Sequence, residues 1–395
     1  MIFIFNLLFR VRFIWVQFLL VLILIFSGTE ILTAQIKRSQ SLNAISVSDV
    51  LFKKAIYKYQ KIKRKGGWKR IPSGNDLAVK VLDERVGILR NRLILTDDFK
   101  KDSENYENAY YFNQRLKKAV IRFQKRHGLY ANGTVNSKTR LALNISVKHR
   151  IRQLKLNKKR HSQVLQKLNS RYILVNIPGF YLKAVNRQKT VLKMRVVVGK
   201  HTHMTPSFSD RMSFLVINPY WYIPPNIVKK DIIPRLIKSE DVLFERGIKI
   251  FKNGSRDLLE IEPGSVNWKI SENTRRKYYF RQEPGKDNSL GLIKFILMNS
   301  QKIYLHDTPH KELFSHVNRA KSSGCIRLSK PAKLAAFVLD DRKQWSARKI
   351  ARMMQSGYQR KIFLPEPISV YLVYWTAWVE SNGEVHFRPD IYHKD

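Results

Sequence analysis

Cysteine is all but missing from this chain: Cys325 is the one thiol in 395 residues. No internal disulfide can form, and one cysteine with scattered histidines does not supply the spacing of a metal site, so neither a metal nor another cofactor is expected. Acidic residues are scarce as well, 30 against 74 basic ones, which leaves a formal charge of +44. A chain so charged attracts anionic polymers or membrane surfaces, with a strength that falls as salt rises. Nucleic acid is the default partner of such a protein, but no nucleic-acid motif is recognisable and the first residues point to export, so none is expected. What the chain does have is 44% hydrophobic content over 395 residues, enough for two or three domains with sizeable cores.

Arg10 and Arg12 precede Phe13-Ile14-Trp15-Val16 and the apolar run Phe18 to Phe26, and Thr33-Ala34-Gln35 offers a small-residue cleavage site. Residues 1–34 therefore read as a signal peptide or a membrane anchor, with a periplasmic or cell-envelope location. Leu32 is a poor residue three positions before the cut, which leaves cleavage open. No cysteine closes the apolar run, so a lipoprotein anchor is not expected. An exported thiol risks oxidation, which favours a working one over an idle one. The positive charge would then meet wall carboxylates, anionic lipid or lipopolysaccharide, although a lysine-rich proteome explains it equally well.

A scaffold segment, 35–75, carries helical spacing from Val47 to Arg64 and is broken by Gly66-Gly67. In a helical module, 76–146, Asn75 or Asp76 is placed to cap a helix running through Leu93. A second helix has Leu116, Ala119, Val120 and Phe123 on its apolar face and ends at Gly128. The Asn132-Gly133 turn leads to a third, capped by Asn136 or Ser137. Residues 147–170 are densely basic and read as a solvated connecting helix. From 171 to 364 the pattern is β, with short runs rich in β-branched residues between Pro178-Gly179, Asn186-Arg187 and Thr205-Pro206. Within it, about 227–285 is polar, mixed and helical in places. Residues 365–395 form a C-terminal strand segment with a turn at Asn382-Gly383.

The chemistry concentrates between Tyr304 and Leu328. His306 ends an apolar, strand-like run, and Cys325 follows the turn-like Ser322-Ser323-Gly324. A lone thiol with a histidine on a neighbouring strand is the minimum kit for thiolate catalysis. A buried free cysteine is the usual alternative, but packing alone explains neither Gly324 nor Arg327. Alternation puts Tyr304 on the face of His306 and Asp307 on the other.

His306 and Ser322-Ser323-Gly324-Cys325-Ile326-Arg327 together resemble the catalytic motif of the L,D-transpeptidases, the YkuD-type enzymes that cross-link bacterial peptidoglycan. Many members carry a second histidine where Ser323 stands. The AV-x-x-FQ stretch from Ala119 to Gln124, with Gly128-Leu129, resembles the small three-helix peptidoglycan-binding module attached to wall enzymes. The order of segments from about Gly66 onward, including VNIPGF, VVVGK, NPYW and YWTAWV, is similar to the long multidomain Gram-negative L,D-transpeptidases.

The resemblance implies an α+β multidomain protein: a mostly-β catalytic domain with a capping insertion, a three-helix module and helical scaffold segments. It implies attack by Cys325 on the diaminopimelate carbonyl of a donor tetrapeptide stem, loss of D-alanine, and transfer of the thioester to an acceptor amine. His306 would be the base, holding a thiolate–imidazolium pair. Backbone N–H groups of Gly324 and Cys325 would stabilise the oxyanion. Arg327 either takes a substrate carboxylate or braces the loop. Tyr304 and Trp221 either contact substrate or pack, and the consequence of Ser323 stays open. His310 and His316 are rival bases, and His201 and His203 read as a loop pair. Peptidoglycan stem peptides are the expected partner; the oligomeric state is open. A hydrolase on the same scaffold and a non-catalytic wall-binding protein are the competing functions.

Overall fold

The computed structural model describes residues 47–100, 108–254, 259–268, 277–341 and 343–395; the expected export segment lies outside them. Among the described residues no helix is long and apolar enough to cross a membrane.

Runs of β-branched residues form β1 (Arg171–Asn176), β2 (Tyr181–Asn186), β3 (Lys189–Gly199) and β4 (Phe208–Ile217). Three strands follow within a side unit: β5 (Trp221–Tyr222), β6 (Ile248–Lys252) and β7 (Tyr278–Gln282). The main sheet then resumes with β8 (Ile293–Leu297), β9 (Leu305–His306), β10 (Ala320–Ser322), β11 (Ile326–Leu328) and β12 (Arg360–Val373). Its order is β10-β3-β11-β9-β8-β4-β12-β1-β2, and β2 also pairs with β3, so the strands from β3 to β2 close into a ring. Most neighbours are antiparallel; β1 with β12, β9 with β11 and β10 with β3 are parallel. β12 runs through residues 364 and 365, where the sequence pattern ended the catalytic domain.

The ring closes over alternating residues. Phe295 and Leu305 point inward with Ile326 and Leu328, all fully buried, against Leu334, Ala335 and Val338 of the helix Pro331–Leu339. Burying each such side chain contributes roughly 1.5–3 kcal/mol, and the same alternation leaves Lys294, Tyr304, His306 and Arg327 for the other face.

The side unit differs from its sequence reading. The insertion, expected over about 227–285 as polar and partly helical, begins at Trp221 and is built on the sheet β5-β7-β6. It has its own core, with Ile223, Ile232, Leu236, Ile250 and Phe280 buried together. Trp221 and Tyr222 pair with Gln282 and Arg281.

Among the described residues five helices precede the ring: α1 (47–64), α2 (Glu84–Ile94), α3 (Gln114–Arg126), α4 (Ser137–Leu143) and α5 (Val147–Leu165). The helix expected from Asn75 or Asp76 starts only at Glu84. Lys80 sits at φ 77°, a left-handed conformation that no α-helix passes through, and Asp83 caps the new start by accepting from the Arg85 N–H at 2.8 Å. α2, α3 and α4 share one apolar core around Leu89, Leu116 and Phe123. α5 is not the solvated connector its charge suggested. Arg150, Ile151, Gln153, Leu154, Asn157 and His161 recur at helical spacing and are buried. The Asn157 amide exchanges hydrogen bonds with Thr376, donating at 2.8 Å and accepting at 2.9 Å, which ties the helices to the strand segment after β12.

Candidate active site

Strand register assembles the polar face. Arg327 lies opposite His306 in the parallel β11–β9 pair, and Lys294 lies opposite His306 on the other side. Cys325 precedes β11, and the Ile326 N–H donates to Tyr304 O at 3.1 Å. Two-residue alternation therefore places Cys325 and Arg327 on the face that carries Tyr304 and His306. The Tyr304 and His306 rings meet edge to face with centroids 5.7 Å apart, and Lys294 Nζ stands 4.0 Å from the Tyr304 centroid. His306 is buried; Tyr304, Lys294, Arg327 and Cys325 are partly exposed.

The nucleophile turn has a specific cause. Gly324 adopts φ +117°, a conformation that side chains rarely adopt. A Cβ there would lie 3.5 Å from its nearest neighbour, so backbone angle and not space demands glycine. Ser322 Oγ accepts from the Gly324 N–H at 3.2 Å and donates to Cys325 O at 2.6 Å, which folds the turn on itself. The Gly324 carbonyl is taken by the Thr205 hydroxyl at 2.6 Å. Among the described residues nothing accepts the Cys325 N–H.

The electrostatics set the resting state. Burial pushes the Cys325 thiol upward, opposed by the Tyr304 N–H and hydroxyl and by the positive charges of Lys294 and Arg327. Burial, then the neighbouring Arg327 cation, pushes His306 down to about 3. The backbone of Asp307 and Leu290 favours the protonated ring, yet Nδ1 is buried without an acceptor at hydrogen-bonding geometry. Both shifts favour the neutral forms of sulfur and imidazole, the opposite direction from the expected thiolate–imidazolium pair. The Sγ contact recorded is with Lys302 O at 3.9 Å, not with His306. Arg327 Nε is buried and unpartnered.

Of the residues singled out in the sequence, Cys325, His306, Tyr304, Arg327 and Gly324 come together. Trp221 reaches the Tyr304 hydroxyl from the side unit. Ser323 points to solvent beside them. Asp307 serves the loop, with Oδ2 accepting from the Leu292 N–H at 3.0 Å and an ion pair to Lys311. His310 and His316 are exposed, and His201 faces the His393 ring. No cluster of three or more metal-ligating side chains occurs among the described residues. Sequence reading missed Lys294 and Thr205: IKFIL shows that Lys294 faces away from the core, but only the register puts it against His306.

Residues 170–346 match the family model YkuD, the L,D-transpeptidase catalytic domain. A Haemophilus influenzae protein named "Putative L,D-transpeptidase" is 34% identical over 223 residues, 56% of this chain and 44% of that protein. The chain thus spans less than half the length of this relative. Among solved structures, an L,D-transpeptidase (residues 123–326) from Xylanimonas cellulosilytica is 13% identical, covering 76% of this chain and 98% of its own, with a TM-score of 0.22. One from Stackebrandtia nassauensis is 12% identical, covering 75% and 94%, with a TM-score of 0.26. Over residues 170–346 the chain is similar to the L,D-transpeptidase catalytic domain of the YkuD family.

Proposed function

We propose that this protein is an envelope enzyme that cross-links peptidoglycan through a Cys325 thioester. The observation that carries the reading is the shared face, where a part-exposed thiol lies on the side of the sheet that carries His306, buried with an unpartnered Nδ1, and Arg327, with an unpartnered Nε. As Sγ bonds to the diaminopimelate carbonyl carbon of a donor stem, its proton passes to His306. A neutral base with a depressed pKa holds that proton weakly, so it can hand it to the departing D-alanine amine. The oxyanion accepts from the Cys325 N–H. Collapse expels D-alanine and leaves the thioester. The acceptor amine then attacks, His306 takes its proton, and the thiol is regenerated as the new amide forms. Arg327 offers its planar fork to a stem carboxylate.

Burial favours the neutral thiol and imidazole, so in this reading the proton moves with the attack. Purified protein incubated with disaccharide tetrapeptide should give dimers joined between diaminopimelate residues, and none with Cys325→Ala. Stems trimmed by one residue without dimers would reject transfer in favour of hydrolysis. By resemblance, a carbapenem should add its mass to the intact protein at Cys325; an unmodified protein would remove the thiol from the mechanism.

A further inference from the structure

Thr205 joins two segments that meet beneath the nucleophile. β3 ends at Gly199 and the chain doubles back at once. A Cβ on Gly199 would stand 2.0 Å from His203 O and 2.7 Å from Thr205 N, so only glycine lets the turn close. Closure brings Thr205, fully buried, onto both strands. Its hydroxyl accepts from the Gly199 N–H at 2.8 Å and donates to Gly324 O at 2.6 Å. The Thr205 N–H donates to the Tyr392 hydroxyl at 3.2 Å, and that hydroxyl donates to Gly199 O. Tyr392 is itself fixed: its ring stacks on Tyr374 at 5.5 Å, and its N–H donates to the Tyr374 hydroxyl at 2.8 Å.

A trans peptide is planar, and its C=O and N–H point in opposite directions. Among the described residues there are no cis peptide bonds. By holding the Gly324 carbonyl on the buried side, Thr205 turns the N–H of the same peptide unit, that of Cys325, away from itself and leaves it unpartnered. Gly324 at φ +117° has no side chain to stiffen this turn, so the external hydroxyl sets the plane of the peptide.

We infer that Thr205, braced by Tyr392 from the C-terminal segment, is a positioning residue that aims the oxyanion donor. The inference rests on the Cys325 thioester reading. Loss of a whole oxyanion donor costs ~10²–10³ in rate, so a donor left present but unaimed should cost ~10–10². The hydroxyl matters to the developing oxyanion and not to sulfur alkylation, which passes through no oxyanion.

The test compares carbapenem acylation with iodoacetamide alkylation of Cys325 by intact mass over time. Thr205→Val should acylate ~10–100-fold more slowly, with alkylation within ~2-fold of the parent protein, and Thr205→Ser should restore acylation to within ~3-fold. Acylation at the parent rate in folded Thr205→Val overturns the inference, as does equal slowing of both reactions or failure of Thr205→Ser to rescue. If Thr205→Val does not fold, Tyr392→Phe, which removes one oxygen, carries the test: slower acylation with unchanged alkylation supports the brace, and unchanged acylation overturns it. A parent protein that alkylates but never acylates sinks the thioester reading itself, and the inference with it.

Discussion

The ring of strands and the helical seam against it bury opposite kinds of atoms. Inside the ring the core is hydrocarbon, from Ile173 and Val175 through Phe295 to Val370 and Leu372. In the seam, Arg92, Arg126 and Arg150 are 2%, 4% and 3% exposed, beside buried His127, His161, Gln153 and Asn157. Aromatic faces meet the cations there: Arg92 lies 3.7 Å from the Trp68 centroid and Arg150 lies 4.3 Å from that of Phe387. His161 stacks on Trp375 at 3.6 Å. A hydrocarbon core tolerates change in proportion to volume lost. A core of buried cations depends on single atoms, since each unpartnered charge is costly. In the ring, polar chemistry is confined to one outer face, where it can be altered without disturbing the interior.

Substitutions should therefore separate chemistry from stability. The largest effect belongs to Cys325→Ala, which removes the nucleophile from a part-exposed site. Cross-linking should fall by more than ~10³-fold while the denaturation midpoint moves by less than ~0.5 kcal/mol equivalent. Retained turnover would leave the proposed mechanism without its nucleophile.

Asp98→Asn should show the converse. Asp98 is the carboxylate that Arg126 grips, with Nε donating to Oδ1 at 2.6 Å and Nη2 reaching Oδ2, both side chains within the seam. Arg126 also donates to Val385 O at 3.1 Å, beyond the ring. Breaking a buried pair from one side typically costs ~3–5 kcal/mol, to be read from guanidinium unfolding. Acylation of the protein still folded should stay within ~3-fold of normal. A loss under ~1 kcal/mol would show that aromatic stacking, not the ion pair, holds the cations.

Acid should find the seam as well. Burial drives His161 to about 3 and His127 well below its ordinary value, with Arg126 and Arg150 adding to the latter; His306 in the active site is likewise near 3. The unfolded chain takes up these protons near pH 6.5, the folded one only far below that, near 3 for His161 and His306. Stability should fall as pH drops below 6.5 and level off beneath the folded values. Between pH 7 and 5 each such histidine should subtract about 1–2 kcal/mol. Unfolding midpoints that hold steady or rise over that interval would contradict the burial of these rings. His161→Phe keeps the stack and should flatten the slope.

The legibility of these two regions differed for the same reason. Hydrocarbon alternation is written in the sequence: the runs set off by Pro178-Gly179, Asn186-Arg187 and Thr205-Pro206 read as strands and are strands. Cys325, His306 and Gly324 stood out because their chemistry is specific to one thiol and one turn. The seam was misread because Arg150 and His161 look solvated until the faces of Phe387 and Trp375, more than two hundred residues away, are brought to them. The side unit's sheet was hidden because β5 is two residues long and its partner β7 lies far along the chain. Register, which puts Lys294 against His306, depends on pairings that no local pattern states.

The smallest predicted effect sharpens the comparison inside the nucleophile turn itself. Ser322 and Ser323 are adjacent, yet one is buried at 3% exposure with both hydrogen-bonding capacities of its hydroxyl used, and the other is open to solvent. Removing the Ser322 hydroxyl leaves a buried Gly324 N–H unpaired, which costs ~1–3 kcal/mol and lets the turn relax, so Ser322→Ala should lower both the midpoint and the acylation rate. Ser323→Ala should change acylation by less than ~2-fold and stability by less than ~0.5 kcal/mol. Ser323 stands where many relatives by motif carry histidine, so a ten-fold loss in Ser323→Ala would mean that this hydroxyl touches the reacting peptide, despite its solvent-facing position here.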